Sequence, residues 1–451
     1  MIATSRSVWW LNPAAVFTLA CCGIALPAYL LPARVYEQYW RTGKHFDGQA
    51  FLLTLACAAV FSLGSLVADA GVAGASRSDA KPWADLVPWR SVWHLFDASY
   101  YLCLFGYLVW IGAAISRGAS LALLLDVVSG SKGALYTFHH DYLSTVGGLT
   151  TLTECGIPAM IFGCMLGNRV GYSKVRRKML ITFLLALVRA FLNSERFALI
   201  ELAVPSLVLL VNIRYLAPDA SKAVSRNILR LAPVVGIIGL PILFTTFEYF
   251  RSWNNFYAAS GDYSLVEFGL SRLLGYYVTS FNNGGFLLTK AKVLLSAPYF
   301  TLHFLWTFPA LSGLMRSAFP HVAIDSDESL LVLLQNHGVN PEFNSSDGVL
   351  NPLVDFGLGG GLLYWFAIGL VCGLLYRLYK QQRPPGLCFY PFIYLGLIET
   401  PLALYWSEGK ALPPYLLLMA STLTLTVYRR RSRREPRPWL STATLKTSEA
   451  I

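Results

Sequence analysis

Long runs of apolar residues, separated by short polar stretches, follow one another along most of the chain. A helix needs about 20 apolar residues to cross the hydrocarbon core of a bilayer. Ten runs reach or approach this length: 10–32, 49–71, 95–116, 142–168, 178–194, 196–214, 231–247, 350–376, 387–405 and 411–428. The pattern therefore predicts an all-α polytopic membrane protein with ten transmembrane helices.

The predicted spans divide the chain into four regions. Residues 1–247 hold seven spans, 248–349 form one long loop, and 350–428 hold three further spans. The basic segment 429–451 follows the last span. We expect this tail to be disordered, because it lacks the apolar residues that a packed core requires.

Two shorter apolar stretches, 271–289 and 296–315, lie inside the long loop. Polar side chains in or beside them would make a full membrane crossing costly, and these are Asn282, Asn283, Lys290, Lys292 and His303. The pattern predicts interfacial or re-entrant helices in the loop. The number of spans would rise to twelve if both stretches crossed the bilayer.

Composition and charge agree with this class of protein. Hydrophobic residues make up 55% of the chain and charged residues 14%, whereas a soluble domain carries about 25% charged residues. Cytoplasmic loops of membrane proteins are rich in Lys and Arg. If the N-terminus is cytoplasmic, most of the 36 Lys and Arg residues fall in cytoplasmic loops and in the tail. We therefore expect both termini in the cytoplasm and the long loop outside it.

The net charge of +11 follows largely from this topology. The segment 428–439, YRRRSRREPRPW, is basic enough to suggest a nucleic-acid patch. It comes directly after a predicted span, where basic residues usually contact anionic lipid. We expect the lipid bilayer as a partner and no nucleic acid.

A first group of candidate functional residues lies in the segment 189–205, RAFLNSERFALIELAVP. Asn193, Ser194, Glu195 and Arg196 form a tight turn between two predicted spans. Arg189 and Glu201 lie at similar depths on the two neighbouring helices. This placement predicts either an ion pair that locks the hairpin or an arginine cluster that holds an anion near the outer surface.

A second group opens the long loop, in the segments FEYFRSWNNFY (247–257) and SRLLGYYVTSFNNGG (271–285). Arg251 and Arg272 offer planar guanidinium groups that match phosphate oxygens. Aromatic and amide side chains follow them and suit sugar rings and hydroxyls: Tyr276, Tyr277, Asn282 and Asn283. Aromatic residues also gather at bilayer interfaces without any ligand, which is the alternative explanation for the tyrosines.

A third group lies in the segment 335–361, QNHGVNPEFNSSDGVLNPLVDFGLGGG. Its first half is polar and contains His337. Asp355 follows about one turn into an apolar helix, next to several glycines that allow close helix packing. Asp355 can cap a helix N-terminus, bind an arginine or act as a base.

Three segments together resemble a known family. They are SERFALIE (194–201), SRLLGYYVTSFNN (271–283) and NSSDGVLNPLVDFGLGGGLLYWFAIGLVCGLLYRLYK (344–380). The chain resembles bacterial oligosaccharide repeat unit polymerases, the Wzy-type O-antigen and capsule polymerases, over residues 185–380. The paired Arg-x10-Gly motifs of some members are not matched, because nine residues separate Arg251 from Gly261 and Arg272 has no glycine at that spacing.

The resemblance implies a GT-C-like architecture in the bacterial cytoplasmic (inner) membrane and a glycosyl transfer on its periplasmic face. The growing glycan would move from undecaprenyl pyrophosphate to a sugar hydroxyl of a new lipid-linked repeat, without a metal or another cofactor. The substrates would be undecaprenyl-pyrophosphate-linked oligosaccharides. A flippase and a chain-length regulator would be partners.

The resemblance and the residue chemistry assign expected roles. A departing pyrophosphate needs cations where negative charge develops, and the candidates are Arg196, Arg251, Arg272 and Arg189. The attacking hydroxyl needs a base within hydrogen-bond reach, and the candidates are Asp355, His337 and Glu195, in that order. The side chains expected to hold sugars are Tyr276, Tyr277, Asn282 and Asn283.

Two other classes of function remain open at this point. The first is an O-antigen ligase or another lipid-linked glycosyltransferase of similar architecture. The second is a polysaccharide flippase or secondary transporter. Transporters usually show internal repeats with broken helices at matching positions, and the chain has no such pairing in its sequence. One long outer loop favours chemistry on one membrane face.

Overall fold

A computed structural model describes residues 8–70, 89–193, 197–213, 226–258, 264–289, 297–322, 324 and 326–434. Within these ranges the chain is helical and contains no β-strand. In chain order, the first helices are α1 (Pro13–Leu30), α2 (Ala33–Trp40), α3 (Gly48–Ala70), α4 (Trp89–Ser116), α5 (Leu121–Val128), α6 (Ala134–Thr137), α7 (Gly156–Val170), α8 (Arg176–Leu192), α9 (Phe197–Val211) and α10 (Arg226–Glu248). The all-α prediction is therefore confirmed for the described residues.

The second half of the chain continues the same architecture. Its helices are α11 (Leu265–Thr289), α12 (His303–Thr307), α13 (Pro309–Ala318), α14 (Asp327–Asn336), α15 (Asn351–Lys380), α16 (Pro384–Glu399) and α17 (Leu412–Arg434). A 3-10 turn, Thr150–Cys155, leads into α7, and a π-helix, Tyr249–Tyr257, continues α10. Helix α17 extends beyond the predicted end of the last span at 428, and residues 435–451 of the tail lie outside the described residues.

Seven segments of the described chain are long and apolar enough to cross a membrane. They are Pro13–Leu30, Gly48–Ala70, Trp89–Ser116, Thr150–Val170, Leu231–Tyr257, Asn351–Lys380 and Gly409–Tyr428. Each overlaps one of the ten predicted spans. The chain thus has the helices of a polytopic membrane protein.

The other three predicted spans coincide with α8, α9 and α16, which are shorter. These helices contain 17, 15 and 16 residues. A rise of about 1.5 Å per residue leaves each shorter than a hydrocarbon core of about 30 Å. Hydropathy places the end of α16 too late, because the apolar run continues to residue 405, whereas the helix already ends at Glu399.

The two apolar stretches of the long loop form different structures. The first becomes α11, one 25-residue helix that packs against α10, α1 and α2. The second contains only the short helices α12 and α13, of 5 and 10 residues. Neither stretch is among the membrane-crossing segments found in the described residues.

Contacts between helix ends define two ends of the bundle. At one of them, the last residues of α9 and α15 meet, since Asn212 Nδ2 donates to Tyr379 O over 2.7 Å. Lys380 pairs there with Asp69 at the end of α3. We call this the basic end. At the opposite end, Gly348 N donates to Thr400 O over 2.8 Å, and we call it the loop end.

A close helix crossing joins α3 and α15. An ideal Cβ at Gly369 would lie 2.2 Å from Phe61 O, and one at Gly373 would lie 2.2 Å from Ser65 O. The two backbones therefore touch directly, which only glycine allows. This contact holds the membrane-crossing part of α15 firmly against α3.

Helix α15 bends near its beginning. Gly357 has φ of 70° and ψ of −179°, a conformation that favours glycine. The bend separates a short first section, residues 351–356, from the longer section that packs on α3. The short section carries Asp355 and belongs to the loop end.

Candidate functional site

Two cavities lie at the loop end, and the polar segment 338–346 borders both of them. The first has a volume of about 350 Å³, and its lining includes Tyr39, Arg41, Tyr257, Arg272, Asn340 and Glu342. The second has a volume of about 260 Å³, and its lining includes His303, Asp327, Asn344, Ser345, Asn351 and Glu408. We call them the arginine cavity and the histidine cavity.

Arg272 is the central charge of the arginine cavity. Its side chain is buried on the second turn of α11, with the guanidinium carbon 4.7 Å from the centre of the Phe343 ring. Nη1 pairs with Glu342, and Nε lies 3.6 Å from Glu248 Oε2. The stacking and the two carboxylates fix the guanidinium plane.

Glu248 brings three of the predicted residues together. It is fully buried at the end of α10, between Arg272 and Arg251, whose Nη1 lies 3.8 Å from Glu248 Oε1. Arg251 Nη1 also donates to the Tyr276 hydroxyl over 3.2 Å. The predicted cluster of Arg251, Arg272 and Tyr276 is thus built around a carboxylate that sequence analysis did not single out.

Arg41 adds a further cation to the lining of this cavity. It ends α2 in the left-handed conformation, with φ of 50° and ψ of 42°, which costs a non-glycine residue about 1–2 kcal/mol. The preceding Trp40 anchors this turn on α11, because its indole nitrogen donates to Ser271 O over 3.1 Å. The turn therefore places Arg41 in the same cavity as Arg272.

His303 is the central charge of the histidine cavity. Its Nε2 lies 2.8 Å from Asp327 Oδ1, and its Nδ1 lies 3.4 Å from Glu408 Oε2. Burial by itself would lower the pKa of His303, but the interactions with Asp327 and Glu408 outweigh it and raise that pKa to about 10. His303 is therefore an imidazolium at neutral pH. In this form it cannot act as a base.

Asp355, the first candidate base, fixes the backbone that carries His303. Its carboxylate accepts hydrogen bonds from Thr301 N and Thr301 Oγ1, each over 2.8 Å, and from Phe300 N over 3.2 Å. The side chain is buried and lines neither cavity. Asp355 could cap a helix N-terminus, bind an arginine or act as a base. Because its carboxylate accepts hydrogen bonds from backbone nitrogens, its contacts most resemble those of a capping residue.

Asp347 directly follows the polar segment and stabilises the turn that leads into α15. It is fully buried, and its Oδ1 accepts a hydrogen bond from Leu350 N over 2.7 Å. Burial raises the pKa of the Asp347 carboxyl to about 8. A Cβ at Gly284 would lie 1.7 Å from Asp347 Oδ2, so glycine is required at that point of α11.

The two predicted amides, Asn282 and Asn283, join α11 to neighbouring loops. Asn282 Oδ1 accepts hydrogen bonds from the backbone nitrogens of His45 and Phe46. Asn283 Nδ2 donates to the carbonyl oxygens of Phe343 and Ser345, over 2.7 and 2.8 Å. Both amides are fully buried. These contacts give them a structural role that the sequence did not indicate.

The remaining candidates lie apart from the two cavities. His337 is exposed at the end of α14, where its ring centre lies 5.0 Å from that of Phe286. Tyr277 is half-buried on α11 and lines neither cavity. Glu195 and Arg196 lie outside the described residues.

Arg189 belongs to a separate charged network between α7, α8 and α9. Its Nη1 donates to Glu154 Oε1 and to Thr153 Oγ1. Glu201 Oε1 lies 3.3 Å from Lys410 Nζ. The sequence predicted either an ion pair of Arg189 with Glu201 or an arginine cluster. In the structure Arg189 contacts Glu154 and Glu201 contacts Lys410, and both of these partners come from other segments of the chain.

Several residues in or beside the two cavities were not predicted from the sequence: Arg41, Glu248, Asp327, Glu342 and Glu408. His303 drew attention only as a polar residue in an apolar stretch. One sequence signal was present, because charged residues are scarce in this chain and each one near a predicted span is a candidate. Comparison with protein-family models, with curated proteins and with solved structures finds no match to the chain.

Proposed function

We propose that the chain is a membrane glycosyltransferase that polymerises lipid-linked oligosaccharide repeat units. The observation that supports this most is the arginine cavity. Arg41 and Arg272 line it, and Arg251 lies beside Arg272 through their shared contact with Glu248. A cavity with this chemistry suits a substrate that joins a phosphate group to a sugar.

The charges around the arginine cavity favour an anionic leaving group. Three guanidinium groups, those of Arg41, Arg251 and Arg272, stand against the carboxylates of Glu248 and Glu342. The excess of one positive charge matches a pyrophosphate, whose negative charge grows as the glycosyl bond breaks. Guanidinium groups bind such oxygens in pairs of parallel hydrogen bonds. Tyrosine and asparagine side chains of the lining offer hydrogen bonds to sugar hydroxyls.

The proposed step is a glycosyl transfer. A hydroxyl oxygen of the new lipid-linked repeat attacks the anomeric carbon of the growing glycan, and the bond from that carbon to the pyrophosphate oxygen breaks. Undecaprenyl pyrophosphate leaves with the bonding electron pair. The hydroxyl proton passes to a carboxylate, for which we propose Glu342, since its side chain is half-exposed in the cavity.

The proposal includes a topology. Helices α8, α9 and α16 would complete ten spans in a GT-C-like arrangement in the bacterial inner membrane, with both termini in the cytoplasm. Basic residues at the end opposite the cavities support this orientation, because cytoplasmic ends are rich in Lys and Arg. Examples are Lys178, Arg377 and Lys380. A flippase would supply the substrate, and a chain-length regulator would be a partner.

The test is the surface polysaccharide of a deletion strain complemented with wild type, Arg251→Ala or Arg34→Ala. Arg34 is exposed on α2 and lines neither cavity. We expect deletion to leave single repeats, and only wild type and Arg34→Ala to restore long chains. Polymer retained on the carrier lipid would instead indicate a ligase. An unchanged ladder after deletion would overturn the polymerase proposal.

A further inference from the structure

We infer that the histidine cavity binds an uncharged sugar of the acceptor saccharide. This inference rests on the proposed function and adds a second site to it. At about 260 Å³ the cavity is slightly smaller than typical small-molecule sites of about 300–1,000 Å³. One or two sugar rings match this size.

The lining of the histidine cavity offers acceptors for hydroxyl groups. Asp327 is 70% exposed and Glu408 about one-third exposed, so both carboxylates can be reached from the cavity. Asn344 and Ser345 add polar groups to the lining. Carboxylates accept hydrogen bonds from hydroxyls, as in many sugar-binding sites, and sugar hydroxyls can also donate to amide oxygens.

Asn351 gives an independent indication of a ligand. It lines the cavity and is only 3% exposed. Its Nδ2 donates to Ser346 Oγ over 3.3 Å, but its Oδ1 has no hydrogen-bond partner among the described residues. An unsatisfied buried acceptor costs about 1–3 kcal/mol. A hydroxyl of a bound sugar would satisfy it.

The charge of this cavity disfavours the phosphate part of the substrate. His303, Asp327 and Glu408 together carry one negative charge when the histidine is protonated. A pyrophosphate would be repelled, whereas an uncharged saccharide would not. The imidazolium donates from Nε2 to Asp327 and places Nδ1 3.4 Å from Glu408. It keeps no free lone pair, so it orients the two carboxylates and does not ligate a metal.

The position of the cavity matches an acceptor site. Phe343 lines the arginine cavity, and Asn344, the next residue, lines the histidine cavity. The polar segment 338–346 therefore borders both sites. A donor pyrophosphate in one cavity and an acceptor saccharide in the other would be held next to adjacent residues of this segment.

The groups that form the cavity are held rigidly. Asp355 fixes residues 300 and 301, just before His303. A capping box between Ser326 and Ser329 fixes the start of α14, which carries Asp327. Such preorganisation lowers the entropic cost of binding a flexible saccharide.

Hydrogen–deuterium exchange of the purified full-length protein can locate two probes. The first is the oligosaccharide repeat released by mild acid from the surface polysaccharide of the same strain, and the second is farnesyl pyrophosphate. We expect the saccharide to slow exchange in 299–305, 326–336 and 402–408. We expect farnesyl pyrophosphate to slow exchange in 249–257 and 268–276.

Three variants test the assignment. Asp327→Asn and Glu408→Gln should weaken saccharide binding about ten-fold or more, without changing protection by farnesyl pyrophosphate. Glu328→Gln is the matched control, because Glu328 is exposed beside Asp327 on α14 and does not line the cavity. A thermal-unfolding measurement confirms that each variant is folded.

The possible results separate the two proposals. Saccharide protection confined to the arginine cavity, or equal saccharide binding by wild type, Asp327→Asn and Glu408→Gln, would overturn the histidine-cavity site. Protection of the histidine cavity by saccharide, with no effect of farnesyl pyrophosphate anywhere, would support this site. That same result would overturn the donor part of the proposed function.

Discussion

The arginine cavity and the histidine cavity are built on the same plan, one cation between two carboxylates. Arg272 lies between Glu248 and Glu342, and His303 lies between Asp327 and Glu408. The surroundings make the difference, because two additional arginines accompany Arg272. In the functions that we propose for the two cavities, one structural unit forms part of an anion site or part of a site for neutral hydroxyls, depending on the charges next to it.

The two units also differ in burial and in the acidity of the cation. Glu248 is fully buried, whereas Asp327 is mostly exposed. A guanidinium keeps its charge at every pH that a folded protein tolerates, whereas the imidazolium of His303 loses its proton near its pKa of about 10. The arginine unit should therefore matter more for stability, and the histidine unit should respond to pH.

The largest expected effect is that of Arg272→Met. This change leaves Glu248 buried without its nearest buried cation, and loss of one partner of a buried ion pair typically costs about 3–5 kcal/mol. We expect a large fall in the thermal unfolding temperature of the purified protein. Arg251→Met is the control, because Arg251 is half-exposed and such pairs contribute about 0–1 kcal/mol.

A double variant separates charge from packing. Adding Glu248→Gln to Arg272→Met removes the unpaired carboxylate and should recover much of the lost stability. If Arg272→Met unfolds at the same temperature as wild type, Arg272 does not stabilise the buried carboxylate of Glu248.

The next effect concerns Asp347, directly after the segment that borders both cavities. Its pKa rises to about 8 on folding, from about 4 in the unfolded chain. The folded state holds a proton that the unfolded chain releases, so stability should fall as pH rises from 4 to 8. One pKa unit corresponds to about 1.4 kcal/mol, so we expect a loss of about 4 kcal/mol between pH 5 and pH 8.

Asp347→Asn should remove this pH dependence, because asparagine imitates the neutral carboxyl. Unfolding temperatures of wild type and variant at pH 5, 6.5 and 8 measure the difference. Parallel curves for the two proteins would contradict a protonated Asp347 in the folded state.

A smaller effect is expected for Arg41→Gln. Loss of one partly exposed guanidinium should weaken binding of farnesyl pyrophosphate about ten-fold, or about 1.4 kcal/mol, and leave saccharide binding unchanged. Arg34→Gln, in the same helix and outside the cavity, should bind as wild type. Equal loss in both variants would point to general surface charge and not to the cavity.

The smallest effect is the response of the histidine cavity to alkaline pH. The pKa of His303 is raised on folding to about 10, so its contribution to stability is complete below pH 6.5 and disappears as pH rises through 10. We expect protonated His303 to contribute about 1 kcal/mol to the free energy of unfolding, because its partner Asp327 is mostly exposed. The difference in unfolding temperature between wild type and His303→Gln should shrink from pH 7 to pH 10. A constant difference would contradict this.

Much of the fold follows from the apolar pattern, and less of the site does. The seven segments that are long and apolar enough to cross a membrane all overlap predicted spans, because hydropathy records directly which residues avoid water. The cluster of Arg251, Arg272 and Tyr276 was also predicted, since these residues lie close together in the sequence. Its partner Glu342 was not, because 70 residues separate it from Arg272.

Long-range pairing explains the other differences as well. The histidine cavity joins residues from α12, α14 and the connection before α17, and no periodicity in a single sequence brings these three together. Asp355 was correctly singled out as unusual, yet its partners, the backbone nitrogens of 300 and 301, have no sequence signature. Asn282 and Asn283 were predicted to bind sugars. Their partners are backbone groups in distant loops, which the sequence does not reveal.

The bend at Gly357 has a mechanical consequence. It divides α15 into a short arm, which holds Asp355 and borders the histidine cavity through Asn351, and a long arm that lies directly on the α3 backbone. The two arms are held by different partners. Hydrogen bonds from Phe300 N and Thr301 N to Asp355 fix the short arm at the loop end, whereas direct backbone contact with α3 fixes the long arm.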